Sequence, residues 1–177
     1  SAPAKGYALD EAVYEVEVRP DATSWVNGAQ GVADYPKSDP IGMLVMKVDV
    51  TTGESAPQGS ASLEGAEFTV RFYEGQYPSA EAAENSGAPA RTWVFATDSD
   101  GFADYADAYK VAGPALFHMS NGDPTLPLGT VVIQETKAPQ GYNLDDGAGG
   151  EPKAFCIQIT DSGAVGEAVY TYNTPKA

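Results

Sequence analysis

The stretch Leu128–Leu144 reads LGTVVIQETKAPQGYNL and divides into a strand and a turn. Its first half is rich in β-branched residues, which favour extended structure, while a proline and a glycine in the second half are typical of a turn. Because side chains alternate between the two faces of a strand, Glu135 shares a face with Val131 and Ile133. The sequence therefore predicts a carboxyl group at the end of an apolar, inward-facing row.

Two further strands place a polar side chain on an apolar face. Lys47 lies on that face of the segment Met43–Asp49, and Asn173 ends that face of the segment Ala168–Asn173. Each group alone is costly to bury without a partner. Taken singly, they also fit a plainer interpretation as a partly exposed lysine, a surface glutamate and a strand-end asparagine. Together, an amine, a carboxyl and a carboxamide in one core indicate a reaction between these groups.

The chemistry that these three groups can perform is amide exchange. Burial disfavours charge, so it lowers the pKa of a lysine and raises the pKa of a glutamate. A neutral Lys47 is then a nucleophile for the Asn173 carboxamide. A protonated Glu135 donates to the carboxamide carbonyl and passes protons to the leaving ammonia. The pattern predicts an isopeptide bond between Lys47 and Asn173, with Glu135 as the catalytic residue.

The motifs around these residues resemble those of Cna-B-type domains, the repeats of Gram-positive surface adhesins and pilins. Glu135–Leu144 matches the signature E-x-x-A-P-x-G-Y-x-L, and Lys47–Asp49 matches the opening K-x-D strand. Leu63–Val70 matches L-x-G-A-x-F-x-V, and Asn173–Pro175 matches the terminal N-x-P. The motifs occur in the family's order and cover roughly residues 42–177.

The resemblance implies an all-β, immunoglobulin-like sandwich of inverse topology. In this family the first-strand lysine bonds to the last-strand asparagine under glutamate catalysis, which corresponds to Lys47, Asn173 and Glu135. It also implies a structural stalk or repeat module of a secreted, cell-wall-attached adhesin or pilus-like protein that functions in cell adhesion. Its expected partners are neighbouring modules of the same protein and a host protein or glycan. Because the self-modification occurs once per chain, no enzyme activity is expected.

The N-terminal region repeats part of the same pattern. Ala2–Asp10 is similar to Ala138–Asp145 with one residue inserted, and such echoes indicate repeated modules. Residues 1–36 are therefore predicted to be the terminal strands of a preceding, similar module. A linker at 37–42 and the main isopeptide domain at 43–177 follow.

Lys37 has two interpretations. Trp25 and the segment Val32–Lys37 are similar to the shaft-pilin motif W…V-x-V-Y-P-K, whose lysine a sortase joins to the next subunit. That resemblance implies a sortase acceptor and a polymerising shaft subunit as an alternative function. The plainer interpretation is a solvated linker lysine, and it is preferred because Asp34 and Pro36 already align with the end of the later module.

Composition excludes several classes of function. With 25 acidic and 10 basic residues, the net charge of −15 argues against nucleic acid or an anionic membrane as a partner. No apolar run is long enough to span a bilayer, and neither a signal peptide nor a sorting signal is visible, as expected for a processed or excised segment. Cys156 has no second cysteine to pair with, and His118 has no companion at metal-ligand spacing. No cofactor or metal is expected.

The remaining pattern is that of strands separated by turns. Strands are predicted near 12–18, 43–50, 66–73, 91–97, 128–135, 154–160 and 167–173, with short helical turns at 80–84 and 104–109. The segment 98–127 is predicted to be loop. That segment offers a ligand-binding adhesin head as an alternative. Trp25, Trp93 and the tyrosines are candidates for a glycan-binding face, but aromatic residues on strands are more often core residues or cross-strand pairs. A glycosidase with paired carboxylates is a more distant alternative.

Overall fold

The computed structural model describes residues 13, 38–39, 45–119, 121–160, 163–166 and 169–176. The chain divides into two compact units, Ser1–Ser38 and Asp39–Ala177. Nearly all of the predicted terminal strands at 1–36 and of the linker at 37–42 fall outside the described residues. Those boundaries therefore stay predictions.

Strands dominate the described residues, which contain eleven strands and one short helix. In chain order these elements are β1 (Ser38–Asp39), β2 (Val45–Asp49), β3 (Glu67–Tyr73), α1 (Ala80–Asn85), β4 (Arg91–Ala96), β5 (Phe102–Ala103), β6 (Lys110–Ala112), β7 (Leu126–Pro127), β8 (Gly129–Lys137), β9 (Ala154–Thr160), β10 (Gly163–Gly166) and β11 (Val169–Asn173). The predicted all-β class is confirmed.

Two sheets build the second unit. The larger sheet has the strand order β10-β9-β8-β3-β4-β6, with antiparallel neighbours. The smaller sheet has the order β11-β2-β5, in which β11 runs parallel to β2 and β5 runs antiparallel to it. Parallel neighbours need a long connection, and here that connection is nearly the whole domain. The first long strand and the last strand therefore lie side by side.

The apolar core lies between these sheets. Val45 and Val169 come from the smaller sheet, and Phe68 and Ile133 come from the larger one. Trp93 is fully buried among them, with its ring edge-on to a tyrosine and a phenylalanine. Trp93 is therefore a core residue, as its strand position also allowed, and it does not line an exposed glycan face.

Helix α1 covers part of the outer face of the larger sheet. Ser79 caps its first turn by accepting a hydrogen bond from the Ala82 amide at 3.1 Å, a usual N-cap arrangement. Ala83 is buried with Tyr73 and Val132. The other predicted helical turn, at 104–109, was wrong, since that segment forms non-helical turns.

The loop prediction for 98–127 was incomplete. The segment contains β5, β6 and β7, and its residues Tyr105 and Leu116 are buried in the core. Strands of two or three residues are too short to show an alternating pattern. The same reason explains why β10, which has three small residues and one valine, was not predicted.

Candidate functional site

Three strands bring Lys47, Glu135 and Asn173 to one place between the sheets. In the parallel register of β2 and β11, Lys47 is opposite Thr171 and Asp49 is opposite Asn173. Lys47 and Asn173 are thus diagonal neighbours on the inward face, within reach of a long side chain. Glu135 reaches them from β8 in the other sheet, and its Oε2 lies 3.4 Å from Lys47 Nζ.

Burial changes the protonation of this amine and this carboxyl. The exposed fractions of Lys47, Glu135 and Asn173 are 0 %, 2 % and 0 %. Burial lowers the pKa of Lys47, although the charge of Glu135 opposes that change. Burial also raises the pKa of Glu135, against the effects of Lys47 and the polar side chains of Asn173 and Thr171. Both shifts favour a neutral amine and a protonated carboxyl, as expected for poorly solvated groups.

The site concentrates buried polar atoms without hydrogen-bond partners. These atoms are Lys47 Nζ, both carboxyl oxygens of Glu135, Thr171 Oγ1 and Asn173 Oδ1. A buried polar group left unpaired costs about 1–3 kcal/mol, so several at one point need an explanation. Lys47 and Glu135 are close enough for an ion pair but lack hydrogen-bond geometry.

The Asn173 carboxamide has a defined orientation. Its Nδ2 donates a hydrogen bond to the backbone carbonyl of Asp145 at 2.8 Å. A carbonyl oxygen can only accept, so the amino end of the carboxamide must face Asp145. Its Oδ1 therefore points elsewhere, and it is one of the unpaired atoms.

Asp49 is the second carboxyl at the site, and its environment keeps it ionised. Its Oδ2 accepts a 2.6 Å hydrogen bond from the Tyr142 hydroxyl. Its Oδ1 accepts hydrogen bonds from the amides of Thr51 and Thr52 and from Gln58 Nε2. Burial alone would raise the pKa of Asp49, but these donors lower it to about 2. The pKa of Asp49 is thus shifted in the opposite direction to that of Glu135.

A tight turn supports β2 at the lysine. Gly101 O accepts a hydrogen bond from Lys47 N at 2.7 Å. Gly101 has φ +75°, and a Cβ there would lie 3.0 Å from Lys47 O. Asp98 Oδ1 closes this turn by accepting from the Asp100 and Phe102 amides. The described residues contain no cluster of three side chains suited to a metal ion.

Cys156 and His118 lie on other parts of the fold. Cys156 is a half-buried free thiol with its Sγ 3.5 Å from Tyr77 O, and burial raises its pKa. His118 lies 3.8 Å from a carboxyl oxygen of Asp107. Lys37, the possible sortase acceptor, falls outside the described residues.

Sequence reasoning missed the role of Asp145. This residue directly follows the G-Y-x-L motif, yet its contact with Asn173 uses a backbone carbonyl, which every residue carries. The donation from Tyr142 to Asp49 was also missed. Tyr142 lies in the G-Y-x-L motif and Asp49 lies in the K-x-D motif. The motifs therefore marked both residues without indicating that they contact each other.

Comparison with known proteins agrees with this fold. The family model for the SpaA prealbumin-like fold domain matches residues 45–168, which is more than half of the chain. The chain belongs to this family, a Cna-B/pilin-type domain family of Gram-positive surface proteins. The resemblance drawn from the motifs is thereby confirmed. The match ends before β11, so it does not include Asn173.

No curated protein sequence matches the chain. SpaA prealbumin-like domains are structural modules of extracellular, surface-associated proteins, and this fits a stalk module of an adhesin or pilin. Within the described part of the chain, no helix is long and apolar enough to cross a membrane.

Proposed function

We propose that this domain is a stalk or repeat module of a bacterial cell-wall-attached adhesin or pilus-like protein, stabilised by an autocatalytic isopeptide bond between Lys47 and Asn173. The observation that carries the proposal is the buried, unpaired contact of Lys47 with Glu135 beside the Asn173 carboxamide. Neighbouring modules of the same surface protein are its partners, and a host protein or glycan would bind elsewhere on that protein.

The reaction balances without a cofactor. Neutral Lys47 Nζ attacks Cγ of Asn173, and protonated Glu135 donates to the carboxamide oxygen, which is unpaired in the structure. The tetrahedral intermediate then loses Nδ2 as ammonia, with Glu135 returning the proton taken from the amine. One Nζ–Cγ bond forms, one Cγ–Nδ2 bond breaks, and one ammonia leaves. Each chain reacts once, so the reaction is a maturation step.

The bond would join strands that already pair. Lys47 and Asn173 are 126 positions apart, and a covalent closure of that length should stabilise the fold by about 4–5 kcal/mol by analogy with disulfides. Because β2 and β11 are the first long strand and the last strand of the domain, tension between its ends would pass through the covalent bond. A stalk module needs that resistance to extension.

The deciding experiment is the intact mass of the purified chain, followed by peptide mapping. We expect a deficit of about 17 Da, the mass of one ammonia, carried by a branched peptide that contains Lys47 and Asn173. The variants Lys47→Ala, Asn173→Ala and Glu135→Ala should show the full mass. A thioester at Cys156 would give the same deficit, but hydroxylamine would cleave it. A full mass for the wild-type chain would contradict the proposal.

A further inference from the structure

Asp145 contacts β11 on both sides of the reacting carbon of Asn173. Its backbone carbonyl accepts the hydrogen bond from Asn173 Nδ2 at 2.8 Å. Its Oδ1 accepts from the amide of Thr174 at 2.7 Å and from that of Gly147 at 2.9 Å. Asp145 is 8 % exposed. One residue therefore holds the side chain of Asn173 and the peptide group that follows it.

These contacts restrict two motions that would move the carboxamide away from the attacking amine. The carboxamide can rotate about its last torsion, and the end of a strand can shift. The contact with the carbonyl fixes the rotation, and the contact with Thr174 fixes the strand end. An amide exchange needs Cγ held in a near-attack position, and a misplacement of about 1 Å can cost on the order of 100-fold in rate.

The charge of Asp145 does not help the reaction. Burial alone would raise the pKa of Asp145, but hydrogen bonds from Gly147 and Thr174 and the charge of Lys47 lower it, so the group is ionised. A negative charge near Lys47 favours its ammonium form and raises its pKa. The ammonium form is the unreactive one. Any benefit from Asp145 must therefore come from its hydrogen bonds.

Asp145 also lines a surface cleft. The amino end of the carboxamide becomes ammonia, and it faces the Asp145 carbonyl. Asp145 and Glu135 both line a surface cleft of about 490 Å³, together with Asp146 and Tyr172. The cleft is therefore lined by the residue that also contacts the leaving nitrogen.

We propose that Asp145 is a positioning residue for isopeptide formation: its carboxylate holds the end of β11, and its carbonyl orients the Asn173 carboxamide by accepting a hydrogen bond from the leaving nitrogen. This inference rests on the proposed function. It assigns no proton transfer to Asp145. It separates the residue that orients the electrophile from Glu135, which handles the protons.

The test follows the loss of about 17 Da in timed samples of the full chain made by cell-free synthesis. Asp145→Ala removes both carboxylate contacts and should slow the reaction about 10- to 100-fold. Asp145→Asn keeps an acceptor oxygen without the charge and should stay within about threefold of the wild-type rate. The matched control is Asp123→Ala, because the Asp123 carboxylate accepts a hydrogen bond from Asn121 Nδ2 within its own turn. Its rate should not change.

Two outcomes would overturn the assignment. A wild-type rate in Asp145→Ala would show that the carboxylate does not position the site. An equally slow Asp145→Asn would show that the charge acts and the hydrogen bonds do not. A wild-type chain that never loses ammonia would instead contradict the proposed function.

A second measurement tests the geometry without any reaction. In a Lys47→Met background, we expect the Asn173 side-chain amide protons to exchange slowly in NMR. They should remain slow with Asp145→Asn and become fast with Asp145→Ala. Equal exchange in all three chains would overturn the positioning role even if no isopeptide bond forms.

Discussion

Lys47 Nζ lies 3.4 Å from Glu135 Oε2 between the two sheets, with both side chains almost fully buried and neither atom in a hydrogen bond. A buried ion pair is weak evidence for stability, because the cost of removing both charges from water can exceed their attraction. Here the remaining hydrogen-bonding capacity of both groups is also unfilled. The pair is therefore poor evidence for stabilisation and supports the proposed isopeptide reaction.

Glu135→Gln should abolish the cross-link and leave the chain folded. The amide keeps the shape of the side chain but can neither donate an acidic proton nor shuttle one. Intact mass should show no ammonia loss. The matched control is Glu67→Gln, since Glu67 forms a surface pair with Lys137, and this variant should cross-link normally. Cross-linking of Glu135→Gln at the wild-type rate would contradict the catalytic role.

The rate of cross-linking should have a bell-shaped dependence on pH. Burial lowers the pKa of Lys47 and raises that of Glu135, and the reactive form has a neutral amine and a protonated carboxyl. Acid protonates the amine, and base removes the carboxyl proton, so the rate should fall on both sides. The two apparent pKa values of this rate profile describe Lys47 and Glu135 as a coupled pair, and neither value belongs to one residue alone. Timed mass measurements across pH would check this, and a rate that only rises with pH would contradict it.

Lys47→Met should lower the free energy of unfolding by about 4–5 kcal/mol if the cross-link is lost, or roughly 8–20 °C in Tm. Methionine fills a similar volume without a charge. Asn173→Ala should lose the same bond, so the double variant should be far less destabilised than the sum of the two single variants. Thermal unfolding of the three chains tests this. Additive losses would show that no shared bond had been removed.

Tyr142→Phe should destabilise the domain by about 1–3 kcal/mol, because it removes the buried hydroxyl that donates to Asp49. The pKa of Asp49 is about 2, below its ordinary value of 3.8. Its contribution to stability is therefore complete above the ordinary value and is lost as the pH falls toward 2. With one donor removed, the variant should unfold at a higher pH than the wild type in an acid titration.

The control for that substitution is Tyr170→Phe, since Tyr170 is 46 % exposed on β11. This variant should show the acid midpoint of the wild type. Equal midpoints for Tyr142→Phe and the wild type would contradict the assigned role of the Asp49 contact.

Gly101→Ala should destabilise the domain and slow its cross-linking. The substitution places a Cβ 3.0 Å from Lys47 O and 3.1 Å from Lys47 Cβ, so β2 must shift at the nucleophile. Gly53→Ala is the matched control, with φ +71° and no atom within 4 Å of the added Cβ. Both variants carry the positive-φ cost of about 1–2 kcal/mol, and crowding should add about 1–3 kcal/mol to Gly101→Ala alone. The crowding argument would be contradicted if Gly101→Ala and Gly53→Ala changed the free energy of unfolding and the rate of cross-linking equally.

Much of the fold followed from local patterns. The long strands β3, β4, β8 and β9 each have enough residues to show β-branched enrichment or alternation, and their predicted bounds differ from the observed ones by at most two residues. The short strands β5, β6 and β7 were missed, because two or three residues carry no period. Tertiary pairing, and not intrinsic propensity, makes them strands.

The sequence by itself determined which side chains face inward, because alternation along a strand is a local rule. It therefore singled out Lys47, Glu135 and Asn173 as polar groups on apolar faces. Only the tertiary structure decided that β2 and β11 pair in parallel with a two-residue offset between lysine and asparagine, and that Asp145 holds the carboxamide. The register of strands far apart in the chain, and the contacts of a backbone carbonyl, depend on how the whole domain packs, and no side-chain pattern encodes them locally.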